Sequence, residues 1–214
     1  MAVCVSRPIE FEFDGQLIRS SIFKKPVSGP VTVGETDLEG NSQANLSVHG
    51  GPYKAVYVYS HDHYDWWSKT LDRDDLSFGH FGENLTLSGL DEDQVAIGDR
   101  LRVGTALTAV SGPRIPCAKL GMKFNDKSMP RRFTQAARPG FYLRVIETGV
   151  VKAGDTVERV KNGEGGLSVR DLFRSYTNRR SSEDYEILKR ALTLPDLDPD
   201  FHPNIHKRLS AFKG

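Results

Sequence analysis

Cys117 lies in the segment Ser111-Gly112-Pro113-Arg114-Ile115-Pro116-Cys117-Ala118-Lys119. Two prolines and a glycine ahead of it keep the backbone from continuing as an ordinary central strand or helix. The cations Arg114 and Lys119 flank it. A thiol on a stiff turn beside positive charge is biased toward thiolate, the form that attacks electrophiles and binds soft metals. The competing reading is a cysteine packed as a small, inert hydrophobe. Cys4, near the N-terminus, is expected to be incidental. The spacing of the two cysteines suggests no disulfide framework, zinc site or iron–sulfur cluster, so redox chemistry would draw its electrons from outside the chain.

Elements must hold that thiol in place, and the chain is long enough to build them. Its 214 residues suffice for one large domain, or one domain with an appendage. Charged residues are 27% and hydrophobic residues 38%, ordinary for a globular protein, and the net charge of +1 supplies no global field for nucleic acid or an acidic membrane. No basic–aromatic strand pattern suggests a nucleic-acid platform. The N-terminus lacks a signal architecture and no apolar run approaches spanning length, so the expected setting is cytoplasmic and reducing, with no membrane partner.

The first three quarters of the sequence read as short strands between turns. Ile9–Phe13 and Gln16–Phe23 flank the hairpin dipeptide Asp14-Gly15, and Val31-Thr32-Val33 follows a Pro/Gly/Ser turn. Ala55–Tyr59 reads as a buried strand. Arg100–Val103 with Ala106–Val110 form a further hairpin, and Phe141–Ile146 and Thr156–Val160 complete the set. Many short strands with turn signals predict a closed or nearly closed β-barrel. One helix over His61–Leu71, capped by Ser60, and a shorter one over Pro130–Ala137 interrupt it. The segment Gly121–Gly140 is expected to form a lid over the pocket.

Past Gly163-Glu164-Gly165-Gly166 the pattern turns helical. Ser168 and Asp171 cap a helix carrying Val169, Leu172, Phe173 and Tyr176 on one face. Ser182 caps a second, ended by Pro195, and Asn204–Phe212 makes a third. Helices this short need a surface to pack on: each other, the strands or a second copy of the chain, hence the expectation of a possible homodimer. The predicted organisation is mainly β with α, a barrel over residues 1–162 and a small three-helix C-terminal domain over 167–214.

Four motifs occur in order: Val48-His49-Gly50-Gly51-Pro52-Tyr53-Lys54-Ala55-Val56-Tyr57, Phe81-Gly82-Glu83-Asn84-Leu85, Ile97-Gly98-Asp99 and Ser111–Cys117. This ordered set resembles the MOSC-domain proteins, in particular their YiiM-like bacterial branch, which also carries a three-helix tail. The resemblance implies a MOSC-type β-barrel holding a molybdenum cofactor (molybdopterin), with Cys117 as the metal ligand and catalytic residue. It implies reduction of N-hydroxylated compounds (hydroxylaminopurines, amidoximes, hydroxylamines) to amines, with electrons from a separate flavin or iron–sulfur protein. At the level of the domain it also carries an association with pyridoxal phosphate binding. The alternative it leaves open is a carrier or binding protein for the cofactor, or for sulfur, without turnover.

Such a cofactor bears a phosphate and a pterin edge with donors and acceptors, and this suggests the residues that would meet it. Arg114 offers a planar fork for phosphate. Lys54 follows the Gly50-Gly51-Pro52 turn, where a backbone without Cβ atoms can come close to a ligand. His49 and Asn84 are compact polar groups beside glycines, and Asn45 and Ser111 are further candidates. Arg19, Lys24 and Lys25 could close over the phosphate. Against these stand bland roles: His49 as a turn brace, Lys54 as a solvated strand-start lysine, Glu83-Asn84 as a turn pair. Glu83 is expected to make a structural hydrogen bond rather than donate a proton. His61 and His63, two apart on a helix, point away from each other and are not read as a metal pair. Trp66-Trp67 are read as surface plus core, Arg131-Arg132 and Arg179-Arg180 as solvated faces.

Overall fold

The computed structural model describes residues 1–43, 50–178 and 181–212. Their twelve strands are β1 (Ala2–Val5), β2 (Ile9–Phe13), β3 (Gln16–Ser20), β4 (Lys25–Pro26), β5 (Val31–Val33), β6 (Val56–Ser60), β7 (Leu85–Leu87), β8 (Arg100–Val103), β9 (Ala106–Pro113), β10 (Phe141–Glu147), β11 (Gly149–Val151) and β12 (Val157–Lys161). Their six α-helices are α1 (Asp62–Leu71), α2 (Ala118–Phe124), α3 (Met129–Ala136), α4 (Val169–Thr177), α5 (Ser182–Ala191) and α6 (Phe201–Ala211).

Valine and tyrosine alternate along β6, and all five of its residues are buried. With a period of two, successive side chains must leave opposite faces of the strand. Val56 and Val58 join the larger apolar cluster, while Tyr57 and Tyr59 join a second one with Trp67, Phe81, Leu120, Met129 and Phe133. The strand therefore has a packed layer on each side. The second layer is aromatic: Tyr59 stacks on Phe81 at 4.5 Å and Trp67 lies nearly parallel to Phe133 at 5.9 Å. Helices α1 to α3 supply most of it.

Eight strands pair in the order β12-β8-β9-β10-β6-β7-β1-β4. The β6–β7 pair is parallel, with α1 in the crossover between them, as parallel neighbours require. Small separate ladders join β2 to β3 and β5 to β11. Among the described residues no ladder joins β12 to β4, so the expected closed barrel is not confirmed. β4 ends after two residues at Pro26, which has no amide hydrogen to extend a ladder, and β12 is mostly solvent-facing.

Several boundaries differ from those predicted. β3 stops at Ser20 rather than Phe23. β1 was not anticipated; it lies between β7 and β4, so Cys4 sits inside the sheet and not on a loose terminus. Burial pushes the Cys4 thiol up to about 12, as fits a packed hydrophobe. α5 is capped by Ser181, not Ser182: its hydroxyl accepts from Asp184 N at 3.0 Å, and the Asp184 carboxylate reaches back to Ser181 N. α6 begins at Phe201 rather than Asn204, because Pro203 falls in the first turn, where no intrahelical donor is lost.

The tail shares its core with the sheet. Leu172, Leu188 and Ile205 belong to the same cluster as Val3, Leu101 and Phe141. Backbone bonds fasten the join: Val169 N to Val95 O at 3.0 Å, Ile97 N to Leu167 O at 2.9 Å, Asp198 N to Ser111 O at 2.9 Å. Asp196 receives Arg100 at 3.0 Å and Arg144 at 2.5 Å. Much of the apolar surface of these helices packs within the chain, with Tyr176, Ile187, Leu192, Leu209 and Phe212 partly buried against the same cluster. Among the described residues no helix is long and apolar enough to cross a membrane.

Candidate functional site

β9 delivers Cys117. The strand passes through Gly112 and ends at Pro113, beyond the Val110 expected for its end. It survives the glycine and proline because β8 pairs only as far as Ala109, which leaves β10 as the partner there. A register shift between Tyr142 and Leu143 skips Ser111, the extra residue of a bulge. Gly112 is held to its size from the side: a Cβ there would lie 2.9 Å from the Phe201 ring. Arg114 follows at once, and Cys117 adopts an extended conformation (φ −121, ψ 170) ahead of α2.

Cys117 is half-buried and lines two hollows. The first is lined by Ser20, Ser21, Lys24, Asn84, Arg114, Lys119 and Tyr142 among others. No described residue lining it carries a carboxylate. The Arg114 guanidinium is buried over the rings of Tyr57 at 5.0 Å and Phe133 at 5.4 Å. Burial opposes its charge, but Tyr57, Tyr142 and Cys117 outweigh that and push its pKa upward. Its Nη1 and the Ser21 hydroxyl are buried without a hydrogen-bond partner among the described residues. An orphaned cationic donor in a cavity costs free energy unless an anion or other acceptor completes it.

Lys24 adds a second buried cation. Its ammonium donates to Asn41 Oδ1 at 2.5 Å, and burial lowers its pKa to about 8 despite Asp37 and Glu83 nearby. Between that value and the ordinary 10.5 the folded chain binds fewer protons than the unfolded chain. The penalty is therefore complete below about 8 and fades as pH rises toward 10.5. Lys24→Met is expected to stabilise the ligand-free protein by roughly 1–3 kcal/mol at pH 7, at ~1.4 kcal/mol per pKa unit. Melting curves from pH 7 to 10.5 check this; a gain that stays constant with pH would contradict it.

The second hollow lies between the Cys117 loop and the tail. Ile115, Cys117 and Tyr142 line both hollows. Here lies Lys54, whose ammonium pairs with Asp198 at 3.1 Å and also with Asp200. Burial alone would lower its pKa, but the bond to Asp200 and the charge of Asp198 raise it. Tyr176, Phe201 and Asn204 complete the wall.

The other candidates take these places. Asn84 borders the first hollow, yet its amide also braces the backbone, accepting from Tyr57 N at 3.1 Å and donating to Cys4 O at 3.3 Å. Ser111 is fully buried, and its hydroxyl donates to Tyr53 O at 2.5 Å, away from either hollow's lining. His49 and Asn45, like Arg179 and Arg180, lie outside the described residues. Glu83 accepts from Gly79 N, Phe81 N, Thr86 Oγ1 and the Tyr64 hydroxyl, a structural role. His63 bonds Glu92 at 2.7 Å and Arg138 at 2.7 Å rather than His61. Asp91 completes a group with His63 and Glu92 that has metal-ligand spacing, but the Arg138 and Arg170 guanidiniums already neutralise it. The expected lid contains α2 and α3, whose Leu120, Met129 and Phe133 are buried in the aromatic cluster.

Tyr142, Ser21 and Asp198 were not anticipated. Tyr142 was read as a strand residue only, and the facing Gly112 was the available signal. Asp198 carries no local signal, because the tail must fold before it reaches the loop.

The family profile of the MOSC domain matches residues 45–158. The Bacillus subtilis protein named "Uncharacterized protein YflK" is 38% identical over 208 residues, 97% of this chain and 93% of that protein. A protein of Gibberella moniliformis named "Reductase" is 34% identical over 187 residues, 86% of this chain and 33% of that longer protein. Among solved structures, YiiM from Geobacillus stearothermophilus is similar at a TM-score of 0.81 and 33% identity, covering 97% of each chain.

Proposed function

Because the chain belongs to the MOSC-domain family and is YiiM-like within it, we propose that it is a molybdenum-cofactor-dependent reductase of N-hydroxylated compounds. The MOSC domain is generally associated with the molybdenum cofactor, and a relative bears the name reductase. Hydroxylaminopurines, amidoximes and hydroxylamines are the substrates, and each turnover takes two electrons and two protons to give an amine and water. A separate flavin or iron–sulfur protein supplies the electrons, since two distant cysteines provide no relay. A reducing, cytoplasmic setting belongs to the same reading.

The residues around Cys117 fit the cofactor. The observation that carries the reading is a half-buried sulfur on the wall of a cationic cavity also lined by Arg114, whose Nη1 has no hydrogen-bond partner among the described residues. Cys117 would give the metal a soft thiolate donor. Arg114 Nη1 and Lys24 would hold the phosphate, the first as a planar fork and the second as a point charge. Ser21 and Asn84 would meet the pterin edge. When bound, the cofactor supplies the two-electron chemistry that cleaves the N–O bond. The chain's own share is position and field: the Tyr57 and Phe133 rings fix the Arg114 plane, and the cations keep the cavity attractive to an anion.

The test is metal content. Wild type from a molybdate-supplied host is expected to carry molybdenum, and Cys117→Ser prepared beside it is expected to carry little or none. Equal loading of the two would remove Cys117 as the ligand.

A further inference from the structure

We propose that the tail-side hollow is where substrate binds, and that Asp198 makes it select planar N-hydroxylated compounds bearing an N–H donor beside the hydroxylated nitrogen. This rests on the reading of Cys117 as the cofactor's ligand. That residue, with Ile115 and Tyr142, forms the partition between the two hollows, so a molecule in the second abuts the reacting centre. Apolar and aromatic side chains make up most of its lining and a few polar groups converge on it, as in small-molecule sites.

The two hollows differ in charge. The first presents Lys24, Arg114 and Lys119 and suits an anionic cofactor. The second opposes two carboxylates, Asp198 and Asp200, to the single ammonium of Lys54, and so favours a donor-rich or cationic guest over an anion. The Asp198 side chain is only 6% exposed. Its Oδ1 accepts from Asp200 N at 3.0 Å and its Oδ2 from Lys54 at 3.1 Å, and each oxygen retains a further lone pair.

The apolar walls suit a flat ring. Tyr142, Tyr176 and Phe201 border the space, the last two edge to face at 5.0 Å. An amidoxime satisfies both features: its amino group donates to Asp198 while the hydroxylated nitrogen turns to the Cys117 partition. A carboxylate or hydroxamate anion of equal size meets repulsion. The tail therefore supplies the discriminating groups, and the sheet supplies the sulfur.

The test uses the metal-free protein and two probes of one shape and opposite charge, benzamidine and benzoate, titrated by calorimetry. Benzamidine is expected to bind at least about tenfold more tightly than benzoate, and Asp198→Asn to remove about tenfold of that affinity. Equal binding of the probes, or unchanged benzamidine affinity in Asp198→Asn, would overturn the proposal. If Asp198→Asn does not fold, Tyr176→Ala carries the test: it should weaken benzamidine severalfold, and unchanged binding counts against the subsite. Metal analysis of Cys117→Ser separates this from the underlying reading. Molybdenum that tracks Cys117 while benzamidine ignores Asp198 ends the subsite alone. Benzamidine bound through Asp198 with no molybdenum dependence on Cys117 leaves the charge preference of the hollow standing and overturns its placement beside the reacting centre, because Cys117 is then not the ligand.

Discussion

Cys117→Ser is expected to leave a folded chain whose reduction of N-hydroxylated compounds falls by more than 100-fold. Loss of an outer-shell partner alone costs roughly 10–100-fold at metal sites, and here the ligand itself is exchanged for a harder, more basic oxygen. The fold should tolerate the change: the residue is half-buried, extended and outside both apolar clusters. A change in stability within about 0.5 kcal/mol is expected, as for surface substitutions. Assays with an artificial electron donor, normalised to bound molybdenum, make the comparison. Full turnover by a loaded Cys117→Ser protein would sink the assignment. A loaded wild type that reduces nothing, yet passes cofactor to an acceptor apoenzyme, would be a carrier.

Glu83→Ala should produce the largest loss of stability. The carboxylate is completely buried and gathers two backbone amides, at 2.8 Å from Gly79 and 3.1 Å from Phe81. Thr86 donates at 2.9 Å, and the Tyr64 hydroxyl also donates to it. Alanine strands four donors in a completely buried site. Each stranded neutral donor costs about 1–3 kcal/mol, partly relieved by relaxation, so a loss of about 3–5 kcal/mol is expected. For a chain of this size that lowers Tm by roughly 10 °C. Differential scanning calorimetry reads it directly; a drop of one or two degrees would mean that the cluster is not holding the turn. The Phe81–Leu85 turn borders the first hollow through Gly82 and Asn84, so cofactor retention should fall with it.

Local chemistry made part of this legible. Asp14-Gly15 announced the β2–β3 hairpin, Ser168 capped α4, and the buried run at β6 appeared where valine and tyrosine alternate. Cys117 and Arg114 stood out because prolines and cations surround them, and the structure brings both to one cavity. What stayed hidden depends on long-range pairing. β1 and β7 are short, and each becomes a strand only through neighbours far along the chain. Lys54 looked like a free cation beside a glycine turn; the carboxylates that hold it arrive more than 140 residues later. The continuation of β9 through Gly112 and Pro113 needed the knowledge that β8 ends early. Closure of the sheet was inferred from strand number, which does not determine whether the two edges meet.

The joint at Gly163–Gly166 looks like a place to cut, but the interior on either side of it is continuous. Severing it would uncover Leu101, Phe141 and their neighbours together with the inner faces of α4 and α6. Neither fragment would inherit a finished interior, and both should be prone to aggregate. A shortened product ending at the glycines is therefore not a self-contained folding unit. On the proposed role of the tail-side hollow, selectivity can nevertheless drift through exchanges at Tyr176, Asp198 and Asn204, none of which lies on β9, the strand that leads to Cys117.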